Sequence, residues 1–169
     1  MENEWAIDSN ESDVIIKSRH SLIGYMPGDK NNFKGHVAIQ NNEVEDASIE
    51  FSFNVNKEIT SLEKKHSNQL DNSEIPIIQF KSTSFQKINR NINFLKGFLT
   101  IKDITKVVEL DTEFMGFNNY NGIEKASFEI TGNINRKDYG ILNNEFFNPL
   151  GFSTGPNIKL IANLEFTHR

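Results

Sequence analysis

The run Ser48-Ile49-Glu50-Phe51-Ser52-Phe53-Asn54-Val55 alternates strictly between apolar and polar residues. A period of two belongs to an extended strand with one face in water and one out of it. Ile49, Phe51, Phe53 and Val55 share one face, and Glu50, Ser52 and Asn54 share the other. The same alternation returns at the end of the chain, where Ile158, Leu160, Ala162, Leu164 and Phe166 stand two apart. A chain that repeats this pattern must turn many one-sided strands toward a common apolar space.

Strands are expected over residues 5–8, 13–18, 33–40, 44–55, 78–82, 93–102, 106–114, 125–134 and 157–167. Asn41-Asn42 reads as a hairpin turn, because Asn tolerates the left-handed backbone such turns require. Gly24-Tyr25-Met26-Pro27-Gly28-Asp29 reads as a break between strands. Thr60-Ser61-Leu62-Glu63 is a capping box, with the glutamate placed to reach back to an unpaired N–H, and it predicts a short helix from Thr60 to Leu70. On that helix Leu62, His66 and Leu70 share a face, and Pro76 keeps it from continuing. With so little helix to cover a sheet, closure is the economical way to remove edges. The expected fold is mainly β, an eight-stranded antiparallel barrel in one domain spanning residues 1–169.

A barrel of this size either fills its interior with side chains or holds one small ligand. The expected inward residues are Phe51, Phe53, Phe80, Leu99, Ile101, Leu110, Phe114, Phe128, Ile130, Leu160 and Phe166, with Met26 and Met115 as adaptable fillers if they face inward. Alternation leaves both uses of these residues open. Fourteen phenylalanines among 169 residues suit either, since the ring brings large contact area and no polar atom that needs a partner.

Charge and motifs exclude other classes. Twenty-three acidic against 18 basic residues give a formal charge of −5, the opposite of the concentrated basic face that phosphates require, so no nucleic-acid partner is expected. The chain has no cysteine, which removes thiol chemistry and disulfides. His20, His36, His66 and His168 form no His-Glu-x-x-His arrangement, no Gly-x-Ser-x-Gly elbow marks a nucleophile, and the glycines lack dinucleotide or phosphate-loop spacing. No catalytic residue, metal or required cofactor is expected, and a small hydrolase is the remote alternative. No run approaches about 18 apolar residues, so stable membrane insertion is not expected. The opening Met1-Glu2-Asn3-Glu4-Trp5 carries no signal-peptide pattern, which reads as cytoplasmic.

Five segments, in order, resemble the YceI-like family of polyisoprenoid-binding, lipocalin-like proteins. They are Trp5-Ala6-Ile7-Asp8, Phe33-Lys34-Gly35, Pro76 to Ser82, Lys96 to Val108, and Gly132 to Gly140. The resemblance implies an extended antiparallel barrel with a helix at one end and an apolar interior for the prenyl chain of a polyisoprenoid or isoprenoid quinone. It also implies frequent dimers and a mature periplasmic form for many members. The chain departs from the family's pattern at Gln69, where an aromatic is common, and at Asp103, where glycine is usual in the turn. Arg136 and Asp138 lie in the resembling segment and are two apart, so on an unbroken strand they share a face. Their expected role is to pin the strand end at the barrel mouth, with a ligand headgroup as the alternative. Arg19 and His20, a strand-end pair near Gly24, are expected at the mouth in contact with solvent or a local carboxylate, with a headgroup as the alternative. A ligand-free structural or stress-related interaction module is the main rival to lipid binding.

Overall fold

A computed structural model describes residues 4–17, 22–54, 77–89, 92–139 and 157–168 of the chain. Ten strands appear in the order β1 (Glu4–Ile7), β2 (Asp13–Lys17), β3 (Leu22–Pro27), β4 (Phe33–Gln40), β5 (Glu43–Asn54), β6 (Ile77–Lys87), β7 (Asn93–Ile101), β8 (Ile104–Tyr120), β9 (Ile123–Asn135) and β10 (Asn157–His168). Every pairing is antiparallel. The ring β1-β4-β5-β6-β7-β8-β9-β10 closes on itself through β1 and β10, so an eight-stranded barrel carries a β2-β3 hairpin beside it. Closure removes most of the unpaired backbone that an open sheet would leave at its edges.

The hairpin arises from a jog in the first strand. β1 pairs with β10 through Trp5↔His168 to Ile7↔Phe166, and β2 resumes along the same edge at Asp13↔Asn163. A single 3-10 turn, Ser9–Glu11, separates the two. The ladder is bridged there by Asp8 N–H to Glu165 O at 2.7 Å and by Glu165 N–H to the Ser12 hydroxyl at 3.1 Å. Ser9 and Ser12 are buried, and their hydroxyls bond Asp29 O and Asp8 O respectively, so the jog leaves neither oxygen orphaned. Gly28 is required at this corner, because a Cβ there would fall 2.1 Å from Ser9 O.

Tight turns set the hairpins. Asn41 and Asn42 both adopt positive φ (55° and 62°) between β4 and β5, as do Asn121 and Gly122 (54° and 85°) between β8 and β9. These are the backbone signs of the two-residue turns that match strand twist. In the β7–β8 turn the left-handed residue is Lys102 at φ 59°, not the adjacent Asp103. The barrel has two ends: one carries the 41–42 and 121–122 turns and the start of β7, and the other carries the 102–103 turn and the finish of β9.

Three local expectations are corrected. The stretch from Gly24 to Pro27 is strand, not a break, since β3 places buried Gly24 and Met26 on one side and exposed Tyr25 on the other. β8 runs six residues past Phe114, through a bulge that polar residues at its far end disguise as loop. β9 stops at Asn135, so Arg136 and Asp138 lie in a 3-10 turn, Arg136–Tyr139. Residues two apart on a 3-10 turn do not share a face, so the parity argument for that pair fails. The helix expected from Thr60 to Leu70 lies outside the described residues, as do Arg19 and His20.

Candidate functional site

The inner wall of the barrel is built by strand parity. On β7 the buried positions are 93, 95, 97, 99 and 101, and on β10 they are 158, 160, 162, 164 and 166. Ten of the eleven expected inward residues are at most 3% exposed: Phe51, Phe53, Phe80, Leu99, Ile101, Leu110, Phe128, Ile130, Leu160 and Phe166. Phe114 is partly buried and packs against the same core. Val14, Ile16, Met26, Val37 and Ile49 extend it. Met26 faces inward as an adaptable filler should, whereas Met115 is 56% exposed at the bulge. Among the described residues the buried polar set is Ser9, Ser12, Asn93 and Thr112, and no charged side chain belongs to it.

The rings fall into two groups. Near one end of the barrel Phe33, Phe51, Phe53 and Phe80 join through β4, β5 and β6, with Phe51 and Phe80 centroids 5.7 Å apart and Phe33 and Phe53 5.4 Å apart. Toward the other end Phe128 stacks on Phe114 at 5.0 Å and on Phe166 at 5.2 Å. Phe117 continues that group to Trp5 at 5.3 Å, and the His168 ring meets Trp5 edge-on at 4.7 Å. Tilted and edge-to-face contacts of this kind each add about 0.5–1.5 kcal/mol beyond area burial.

Phe117 takes the inward parity, opposite Ala126 and still 37% exposed at the rim, only because of the β8 bulge. Phe114 pairs with Phe128 and Gly116 with Ser127, leaving Met115 as the extra residue. Were Met115 paired in regular register and not bulged, Phe117 would take the outward parity. The alternation rule therefore stops one residue past Phe114, and the signal that could have announced the shift is Gly116, at φ 112° inside the strand.

At the opposite end the Arg136–Tyr139 turn folds Tyr139 against the wall. Its hydroxyl donates to Leu99 O at 3.0 Å, and Lys137 N–H donates to Asn135 Oδ1 at 2.9 Å. Burial, and then the nearby Asp138 carboxylate, push the Tyr139 phenol up to about 12. Arg136 is half-buried and Asp138 exposed. Sequence reasoning singled out these two charged residues and missed Tyr139, whose apolar ring and single hydroxyl make the contact with β7.

Polar groups elsewhere serve the outer surface. Lys125 pairs with Asp8 at 3.1 Å, a contact that raises its ammonium above the ordinary lysine value. The Ser127 hydroxyl donates to Glu165 Oε2 at 2.6 Å. Among the described residues no group of three or more His, Asp or Glu side chains is arranged to hold a metal ion, and no helix is long and apolar enough to cross a membrane.

An antiparallel barrel closed at eight strands, with an aromatic inner wall and short hairpin turns, is a lipocalin-like architecture. Within it the chain belongs to the YceI-like domain family, whose profile matches residues 5–166. Relatives include a UPF0312 protein of Staphylococcus epidermidis, 26% identical over 166 residues and covering 97% of each chain. A UPF0312 protein of Staphylococcus aureus is 27% identical over 173 residues, covering 96% of each. Among solved structures, Burkholderia cenocepacia BcnA matches with a TM-score of 0.61 at 15% identity, over 94% of this chain and 98% of that one. The Campylobacter jejuni YCEI protein matches with a TM-score of 0.52 at 20% identity, over 90% and 91%. These two likenesses show the shared fold.

Proposed function

We propose that the barrel is a noncatalytic binder of an isoprenoid-like lipid, whose hydrocarbon tail lies along the apolar inner wall. One observation carries the reading: the buried residues come from all eight strands of the ring and include no charged side chain among the described residues. Such a wall favours a long apolar chain at roughly 25 cal/mol per Å² withdrawn from water, without a convergent set of reactive groups. Membership in the YceI-like family supports a binding barrel over an enzyme. The ligand is a polyisoprenoid or an isoprenoid quinone, the protein stores or carries it, and one domain spans the chain.

A second reading, a ligand-free structural or interaction module, is favoured by the ring contacts themselves. Phe51, Phe80, Phe114, Phe128 and Phe166 touch neighbouring rings at 5.0–5.7 Å, as a filled core does. Native mass spectrometry of the purified protein, followed by organic extraction, separates the two. A co-purifying or reloadable prenyl lipid is expected; a folded barrel that neither carries nor takes up any prenyl lipid selects the structural reading.

A further inference from the structure

The apolar wall has a polar interruption near the end that carries the 41–42 and 121–122 turns. Asn93 opens β7 with its side chain on the inward parity, in line with Leu95 and Leu99, and only 6% of the residue is exposed. Its carboxamide oxygen is buried and meets no hydrogen-bond partner among the described residues. Thr112, 3% exposed, is its cross-strand partner on β8 and stands two residues before Phe114 on the same face. The Thr112 hydroxyl donates to Leu110 O at 3.3 Å, which leaves its oxygen able to accept. A buried acceptor without a donor is destabilising, whereas an apolar residue of similar size at position 93 would avoid that penalty.

The surroundings define what can meet it. Lys87 is the residue opposite Asn93 on β6, but its ammonium is bound by Glu43 and Glu45, each at 2.9 Å. Among the described residues Lys87 is thus already engaged by two carboxylates. An ionised phosphate or carboxylate offers acceptors but no proton to an orphan acceptor. What fits a lone carboxamide oxygen beside a hydroxyl whose own proton goes to Leu110 O is an uncharged group that donates a hydrogen bond.

We propose that Asn93, with Thr112 beside it, recognises an uncharged hydroxyl on the terminus of an apolar ligand whose tail occupies the barrel. The inference rests on the lipid-binding reading and deepens it: the ligand is alcohol-headed, and its head points toward the end of the barrel where β7 begins. A hydroxyl satisfies the orphan oxygen by donating its proton to it, with the Thr112 oxygen beside it as a second acceptor. Neither a hydrocarbon nor an ionised pyrophosphate brings that proton.

The test is calorimetric titration of the full chain with three probes that share one tail, namely farnesol, farnesene and farnesyl pyrophosphate, in wild type and Asn93→Leu. Wild type should bind farnesol about tenfold more tightly than farnesene, the ratio that one satisfied buried hydrogen bond supplies, and more tightly than the pyrophosphate. Asn93→Leu should bind farnesene at least as well as wild type does and lose the preference for the alcohol. Equal binding of alcohol and hydrocarbon by wild type, tightest binding of the pyrophosphate, or an alcohol preference that survives in Asn93→Leu overturns the proposal while leaving a lipid-binding barrel intact. Failure of all three probes, the hydrocarbon included, removes the lipid-binding reading and this proposal with it. Unliganded melting gives an independent readout: Asn93→Leu should raise the Tm, and a lowered Tm would mark Asn93 as a structural residue and overturn its role in recognition.

Discussion

Tyr139 shows how much one side chain can do at a strand end. Its hydroxyl bonds Leu99 O, and its ring is 2% exposed, so the turn after β9 is tied to β7 two strands away. The phenol is pushed up to about 12 from an ordinary value of 10.0. Below pH 10 it is neutral in both folded and unfolded chains and has no linkage effect. Between about pH 10 and 12 the unfolded chain ionises first, so stability falls as pH rises through that window. Tyr139→Phe is expected to lose on the order of 1 kcal/mol at pH 7, from the missing hydrogen bond. It should also show a shallower loss between pH 10 and 12, by on the order of 1–2 kcal/mol. Urea titrations at pH 7, 10 and 11.5 check this; parallel curves for the two proteins would place the alkaline sensitivity elsewhere.

At the level of the element, the β8 bulge decides how the barrel ends. Met115 itself is solvent-exposed, yet its insertion sets Phe117 at the rim against Trp5 and Phe114. Deleting Met115 would leave Phe117 two positions after Phe114 and still opposite Ala126, whereas Phe117→Ala keeps the bulge and breaks two ring contacts. The expected cost is about 1–3 kcal/mol, from two aromatic pairs. Trp5 is the single tryptophan, so its emission reports the change directly. A red shift in Phe117→Ala is expected as the Phe117 cover is lost, and an unchanged spectrum with unchanged stability would show that Phe117 contributes nothing to this end.

Across the whole molecule, closure is uneven. β5 and β6 form a ladder only from Glu50↔Lys81 to Asn54↔Ile77, whereas β6 and β7 remain paired from Ile78↔Ile101 to Lys87↔Asn93. Along the rest of the β5–β6 seam, Ser82 Oγ accepts from Ile49 N–H at 2.9 Å, and Lys87 reaches Glu43 and Glu45. The ion pairs are partly exposed, and pairs of that kind stabilise little and weaken with salt. The seam should therefore open more readily than the long ladders that join β6 to β7, β8 to β9 and β9 to β10. Native-state hydrogen exchange should be faster for the amides of 44–48 and 83–86 that face the seam than for the paired amides of β9 and β10. Lys87→Ala should accelerate it further with little change in global stability. Uniform protection around the barrel would contradict this.

The alternation in the chain determined the antiparallel strands and, through parity, the burial of ten of the eleven residues expected on the wall. The signal is local, because the side chains of one strand reach opposite faces whatever its neighbours are. The asparagine turn at 41–42 was legible for the same reason, since a left-handed backbone is a preference of single residues. The long-range relations were not. The jog at Ser9–Glu11 makes sense only once β10 is present to receive both β1 and β2. Met115 is an extra residue only when β9 is laid against β8, and Asn93 is an unsatisfied polar group only when the surrounding wall excludes water. Arg136 and Asp138 stood out by charge, but the contact at that end is made by Tyr139 across a packed interface. Period and turn chemistry are written residue by residue; register, bulge and burial depend on which strand becomes the neighbour, and the closed barrel decides that.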